Sequence, residues 1–289
     1  MRWLIVGTVP RDDFPLYEGP CRPASGRLQL GVHSVAVKRG TPALLAAACS
    51  AAETLGVAPP EVLLAGDIGR GQGSARIYEH LTRSFEFSSV DLMVFHYLQP
   101  DVDWHNRVYM AMEEKETWPL LIADAGFMYV AKMSGFAESY DLFTPDVGEM
   151  AFLADEEAPH PFYTRGFILQ EEERAPELIA RAYAHGNAAR NLLVKGSCDL
   201  VASRDGILER ICDPVVEAME PIGGTGDTLT GLVSALVAAG HSIVRSCALA
   251  ARANRLMGAL ADPTPAFSVA DLLPSLPQAL TRALSEKKP

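Results

Sequence analysis

The sequence predicts an α/β fold with a mainly parallel sheet, in a single domain over residues 1–289. Short apolar runs alternate with helical patterns along the whole chain, the order that strands joined by crossover helices produce. One late hairpin signal, Asp205-Gly206, sits between the apolar runs 200–203 and 207–211 and adds an antiparallel piece to the sheet. Composition agrees: hydrophobic residues make up 48% and charged residues 21%, ordinary for a chain that buries its own core.

The elements follow in chain order. Strands are predicted over 3–7, 32–37, 61–65, 92–95, 120–123, 142–144 and 191–194, ahead of the hairpin. Helices are predicted over 42–55, 74–84, 106–115, 176–184, 227–239, 244–261 and 269–284. Pro42 stands where a first-turn proline is tolerated, and Gly240 where a C-terminal glycine cap belongs. The stretch 154–161 is the most loop-like, too short to separate a pair of domains, and the run 171–174 reads as a solvated helix start. The tail 285–289 is expected to fray.

Several classes are excluded. A formal net charge of −11 argues against a nucleic-acid partner, which needs a basic face, but leaves a locally held nucleotide open. The apolar start 1–7 is too short for a signal peptide, and no run approaches the ~20 apolar residues of a membrane span. The expectation is therefore a soluble, cytoplasmic protein, with a sheet edge or helix face available for a homo-oligomer. Five cysteines without a C-x-x-C pair are expected to be buried, reduced thiols.

The chemistry concentrates at Gly223-Gly-Thr-Gly-Asp227, which precedes an amphipathic run. Glycines turn the chain tightly with amides bare, and the following helix aims its positive end at the turn. Gly224, Thr225 and Gly226 thus form an anion hole for a phosphate, and Asp227 stands beside it as a carboxylate able to accept a hydroxyl proton. Lys195-Gly196 follows the strand 191–194, at the strand end where open parallel sheets bind ligands. Asp146 and Glu149, after another strand, pair two carboxylates at a helix start, a pattern that binds Mg²⁺ through water or simply caps the helix. Asp124-Ala-Gly126 also follows a strand and reads as a turn or as a helper for metal or phosphate.

The turn Gly-Gly-Thr-Gly-Asp-Thr-Leu-Thr-Gly resembles the G-[AT]-G-D motif of the ribokinase-like superfamily, which implies a three-layer αβα fold. The segment 4–13 is similar to that superfamily's opening strand and substrate-contacting aspartate, here Asp12 or Asp13. The segment 39–56 resembles the glycine-rich lead into its first long helix, which adds Gly40 and Thr41 as candidate substrate contacts. The segment 62–73 is similar to its G-x-x-G-x-D-x-x-G region, and Thr144–Glu149 to its N-x-x-E motif, with Asp146 for asparagine.

Two branches of the superfamily fit. Resemblance to the sugar and vitamin kinases implies ATP-dependent phosphoryl transfer to a small hydroxylated metabolite, with Asp227 as base and Mg²⁺ on Asp146 and Glu149. Resemblance to the ADP- or ATP-dependent NAD(P)H-hydrate dehydratases rests on Thr-Pro-x-x-Gly-Glu-Met and Gly-Gly-Thr-Gly-Asp-x-Leu-x-Gly. It implies adenine-nucleotide contacts from Lys195, Gly196 and Gly226, and substrate contact from Asp227. Against that branch, Asp146 replaces a histidine and His96-Tyr-Leu-Gln-Pro100 replaces a Gly-Pro-Gly-Leu-Gly loop. Against the kinases, Met219–Ile222 lacks the aspartate-threonine lead-in. The sequence reading is a kinase, with a dehydratase as its alternative and a nucleotide-binding protein without catalysis as a third. His96, after the strand 92–95, joins the candidate substrate contacts, and Tyr97, Trp104 and Tyr109 read as pocket-lining or packing residues. The glycines 66, 69, 71 and 73 lack the spacing of a dinucleotide fingerprint.

Overall fold

A computed structural model describes residues 1–114, 118–156 and 172–286. Residue 115 of the helix predicted over 106–115, residues 157–161 of the stretch 154–161, residue 171 of the run 171–174 and residues 287–289 of the tail lie outside these residues.

The chain forms β1 (Trp3–Val9), β2 (Tyr17–Pro20), β3 (Arg22–Ala24), β4 (Arg27–Leu30), β5 (His33–Ala36), α1 (Thr41–Leu55), β6 (Glu61–Gly66) and α2 (Gln72–Arg83). It continues with β7 (Leu92–His96), α3 (Val102–Glu113), β8 (Leu120–Ala123), α4 (Gly126–Met133), β9 (Leu142–Phe143), α5 (Val147–Ala154), α6 (Ala175–Ala184) and β10 (Asn191–Val194). Last come β11 (Asp199–Ser203), β12 (Gly206–Ile211), α7 (Thr225–Ala238), α8 (Ile243–Ala261), α9 (Val269–Leu272) and α10 (Leu276–Ser285). The main sheet runs β12-β11-β10-β9-β8-β7-β1-β6-β2, and β3-β4-β5 form a separate sheet. From β10 through β6 neighbouring strands are parallel, while β2, β11 and β12 are antiparallel edges.

Period-two alternation places a core on each face, as a sheet covered on both sides requires. Leu4 and Val6 of β1 pack toward α2, α3, α4, α5 and α6, while Trp3, Ile5 and Val9 pack toward α1, α7, α8 and α10. The result is the three-layer αβα fold that the resemblance implies. The predicted strand at 32–37 is present, but in the small sheet. No helix among the described residues is long and apolar enough to cross a membrane.

The expectation of five reduced thiols is corrected: Cys198 and Cys212 form a disulfide, while Cys21, Cys49 and Cys247 are free and buried. The hairpin places the pair. A register shift at Val201/Ala202 sets Asp199 opposite Ile211, so the residues just outside face each other with Cα atoms 4.1 Å apart.

The α1–α7 contact has its own steric logic. A Cβ on Gly231 of α7 would lie 2.3 Å from the Leu44 carbonyl oxygen and 3.1 Å from the Ala48 nitrogen of α1. Alanine is the better helix former by about 1 kcal/mol. A clash with backbone outweighs that, so Gly231→Ala is expected to lower unfolding free energy by about 2–3 kcal/mol. Denaturant melts check this, and an unchanged or raised midpoint would show that the two helices can separate without cost.

Candidate active site

Asp124 and Lys195 lie just past the C-terminal ends of β8 and β10, His96 ends β7, and Gly40, Thr41, Asp146 and Asp227 lie at helix N-termini. The chain reverses its direction of travel across the sheet at β1, and ligands of open parallel sheets bind outside the strand ends at such a point.

Asp227, in the first turn of α7, is the meeting point. Its Oδ2 accepts the Gly40 N–H at 2.5 Å, and its Oδ1 lies 3.1 Å from His96 Nε2. An ionised carboxylate only accepts, so Nε2 carries the hydrogen. His96 Nδ1 lies 3.0 Å from Thr41 Oγ1. His96 is fully buried and Thr41 is 1% exposed, so the structure places both of these candidate substrate contacts behind Asp227 rather than at an open surface. The Asp227 side chain keeps 13% exposure, enough for one face to reach a ligand.

Asp124, which the sequence reading weighs but leaves out of the site, is the second centre. Lys195 Nζ binds both of its oxygens at 2.9 and 3.0 Å, Thr230 Oγ1 donates at 2.6 Å, and the Ala125 N–H donates at 2.8 Å. Burial would raise this carboxyl, but the Lys195 ammonium, with His96 and Thr230, overrides it and holds the group below the usual range. A signal for it exists in the sequence: Asp124 stands one residue past β8 as Lys195 stands one past β10. His96 and Asp124 are each followed by a non-glycine residue with positive φ, Tyr97 (53°) and Ala125 (51°), strain of the kind that gathers at functional sites. The exposed Tyr97 ring packs edge-on against His96.

The turn itself matches expectation in shape. Gly224, at φ 104°, precedes α7, a backbone angle that favours glycine. Arg39 flanks Gly223 and Gly224 on one side, and the Lys195 stem flanks Gly226 on the other. The loop carrying Gly196 is held by Arg255, which donates to the Asp199 carboxylate at 2.8 Å and to the Gly196 carbonyl at 2.9 Å. A cavity of about 150 Å³ opens beside that loop, lined in part by Val147, Gly196, Cys198 and Arg210.

Asp146 and Glu149 form a capping box: each carboxylate accepts the other's backbone N–H, at 2.7 and 2.9 Å. Burial pushes the Glu149 carboxyl up to about 8; Lys195 opposes this, and Asp146 and Asp124 add to it. One oxygen of each lies outside the box, that of Glu149 accepting a long hydrogen bond from the Tyr129 hydroxyl at 3.4 Å, and together they make an all-oxygen donor set of the kind a hard cation takes. His96, Asp124 and Asp227 also lie close enough to share an ion. That trio does not fit Mg²⁺, since it offers a ring nitrogen and each of its atoms already has a hydrogen-bond partner within the protein.

Asp12 and Asp13 are not brought to this cluster. They lie on the exposed loop after β1, where Asp13 pairs with Arg11 at 2.6 Å. Asp67, from the glycine-rich stretch, accepts the amides of Gly69, Arg70, Gly71 and Ser74 and so shapes its own loop. Trp104 and Tyr109 pack on the α2–α6 side of the sheet.

A glycine turn at a helix N-terminus with its aspartate among the strand ends sets the chain in the ribokinase-like class. Solved structures agree: a ribokinase-like superfamily protein from Enterococcus faecalis aligns with a TM-score of 0.56 at 13% identity, covering 98% of this chain and 87% of that one. Phosphofructokinase-2 from Escherichia coli aligns with a TM-score of 0.54 at 14% identity, covering 97% and 99%. At such identities the likeness shows the fold alone.

Within that class, residues 100–282 match the NAD(P)H-hydrate dehydratase family, and the chain belongs to it. An uncharacterized protein of Methanocaldococcus jannaschii is 38% identical over 225 residues, 78% of this chain and 92% of its own length. The ADP-dependent (S)-NAD(P)H-hydrate dehydratase of Cenarchaeum symbiosum is 30% identical over 158 residues, 53% of this chain and 50% of that enzyme. A bifunctional NAD(P)H-hydrate repair enzyme of Hyperthermus butylicus is 35% identical over 113 residues, 38% of this chain and 20% of that enzyme. The chain thus spans half or less of these two named enzymes. The kinase reading is corrected by these matches, which favour its alternative. The sequence could not separate the two because both branches use the same anion-holding turn and acid.

Proposed function

We propose that the chain is a nucleotide-dependent NAD(P)H-hydrate dehydratase. The carrying observation is Asp227, clamped by Gly40 and His96 beside the glycine turn of α7. Its free face accepts the proton of the substrate's ring hydroxyl as that oxygen attacks the terminal phosphorus of ADP or ATP. Amides at Gly224–Gly226 and the positive end of α7 take the charge on the transferring phosphoryl group. The phosphate then leaves with the carbon–oxygen pair, pushed by the ring nitrogen, and loss of a neighbouring C–H proton restores the reduced nicotinamide. The balance is hydrate plus ADP to reduced cofactor, AMP and phosphate, the lost water having hydrolysed the nucleotide.

The ADP dependence named for the Cenarchaeum symbiosum relative supports adenine-nucleotide binding here, with Lys195, Gly196 and Gly226 as the expected contacts. Asp146 and Glu149 would hold Mg²⁺, with the Glu149 Oε1 exchanging its 3.4 Å hydrogen bond from the Tyr129 hydroxyl for the ion, which would neutralise phosphate charge there. The test is incubation of the purified protein with hydrated NADH, Mg²⁺ and ADP or ATP while following reduced-nicotinamide absorbance. Recovery that requires nucleotide is expected. No recovery, with thermal stabilisation by ADP, would leave a nucleotide-binding protein without catalysis and sink the assignment.

A further inference from the structure

We infer that Thr41 and His96 are positioning residues that aim Asp227, with Thr41 fixing the ring tautomer of His96. The inference rests on the dehydratase reading for its kinetic consequence, but its geometry stands apart from it.

His96 ends β7, is fully buried, and reaches two partners at once: Asp227 Oδ1 at 3.1 Å from Nε2 and Thr41 Oγ1 at 3.0 Å from Nδ1. Which nitrogen of an imidazole carries the proton is set by the bond the other makes. With Nε2–H donating to the carboxylate, a neutral ring offers only a lone pair at Nδ1, and the Thr41 hydroxyl is the donor that meets it. The opposite tautomer would turn the Nε2 lone pair toward two acids, Asp227 at 3.1 Å and Asp124 Oδ2 at 3.7 Å. Thr41 therefore selects the tautomer that holds Asp227. Gly40, next in the chain, clamps the other Asp227 oxygen through its N–H. Both oxygens are thus fixed from behind by the start of α1 and the end of β7, leaving the exposed edge of the carboxylate for the hydroxyl proton.

The sequence suggests substrate contact for Gly40, Thr41 and His96. The structure assigns Thr41 and His96 a role one step back, because residues only 1% and 0% exposed can act on the reaction only through Asp227.

The experiment compares wild type with Thr41→Val and Thr41→Ser. Valine matches threonine in shape and removes the hydroxyl; serine restores it. Histidine ring-nitrogen NMR should show the Nε2–H tautomer of His96 in wild type and Thr41→Ser, and its loss in Thr41→Val. In dehydration assays, Thr41→Val should lower kcat by at least about tenfold while KM for ADP moves less than about threefold, and Thr41→Ser should recover most of the loss. If Thr41→Val keeps both the tautomer and kcat, or if KM moves in place of kcat, the inference is overturned. Should wild type show no dehydration at all, the functional reading fails, and the NMR comparison alone decides the tautomer claim.

Discussion

Asp227→Asn is expected to lower kcat for dehydration by roughly 10³-fold or more while leaving the fold intact, since a positioned general base contributes roughly 10²–10⁴-fold. Asparagine has the same shape, and its carbonyl oxygen can still accept the Gly40 N–H. Its amide cannot take a proton from the substrate hydroxyl. Nucleotide affinity should not fall with kcat, because the amides proposed to grip phosphate lie before residue 227 and are untouched. ADP should bind at least as tightly, since removing a carboxylate beside an anion site removes repulsion. Titration calorimetry for ADP, set against initial rates of cofactor recovery, separates the two effects. Turnover within tenfold of wild type would remove Asp227 from the chemistry.

Lys195→Met should have the largest effect on stability, about 3–5 kcal/mol at neutral pH, the cost of leaving a buried carboxylate without its counter-ion. Asp124 has 2% side-chain exposure and Lys195 14%, so water cannot replace the ammonium. The sign against pH follows from the direction of the Asp124 shift. In wild type its folded-state value lies below the unfolded one. The ion pair therefore contributes stability above the ordinary carboxylate range and loses it as pH falls through the folded value. In the variant, burial is opposed only by His96, Thr230 and the Ala125 N–H, so the group should rise and the folded state should hold a proton that the unfolded state has lost. Stability of the variant should then decline as pH rises through and above the carboxylate range. Urea melts at pH 5 and pH 8 should show the gap to wild type wider at pH 8. An equal gap at both would mean that Asp124 does not depend on Lys195 for its charge.

Residues at strand ends are legible in the sequence, because a change from apolar run to polar residue marks the place without any knowledge of contacts. Asp227, Lys195 and the 144–149 helix start stand out that way, and Asp124 obeys the same rule although it also reads as a turn. What is not legible depends on register and depth. His96 looks like a pocket residue when read one dimension at a time; only the packing of α1 against β7 shows that it is sealed behind Asp227. The Cys198–Cys212 pair is hidden by a bulge, since counting outward from the Ser203–Gly206 pair without it sets 198 opposite 211. The strands β2, β3 and β4 have at most four residues, too few for a period to declare itself.

The backbone contact at Gly231 reaches further than packing. Gly231 stands four residues after Asp227, and Leu44 four after Gly40, about 6 Å along each helix axis. The methyl-free crossing and the carboxylate clamp are therefore consecutive rungs of one ladder between two helices that run the same way. The spacing of the lower rung dictates the reach of the upper one. A wedge driven in at residue 231 would pry the acid away from its amide donor, so damage there would be felt as lost catalysis before the protein begins to melt. Both helices also direct their electropositive starts at the same spot, so a bound phosphate would ease the mutual repulsion of the two ends and draw the ladder tight.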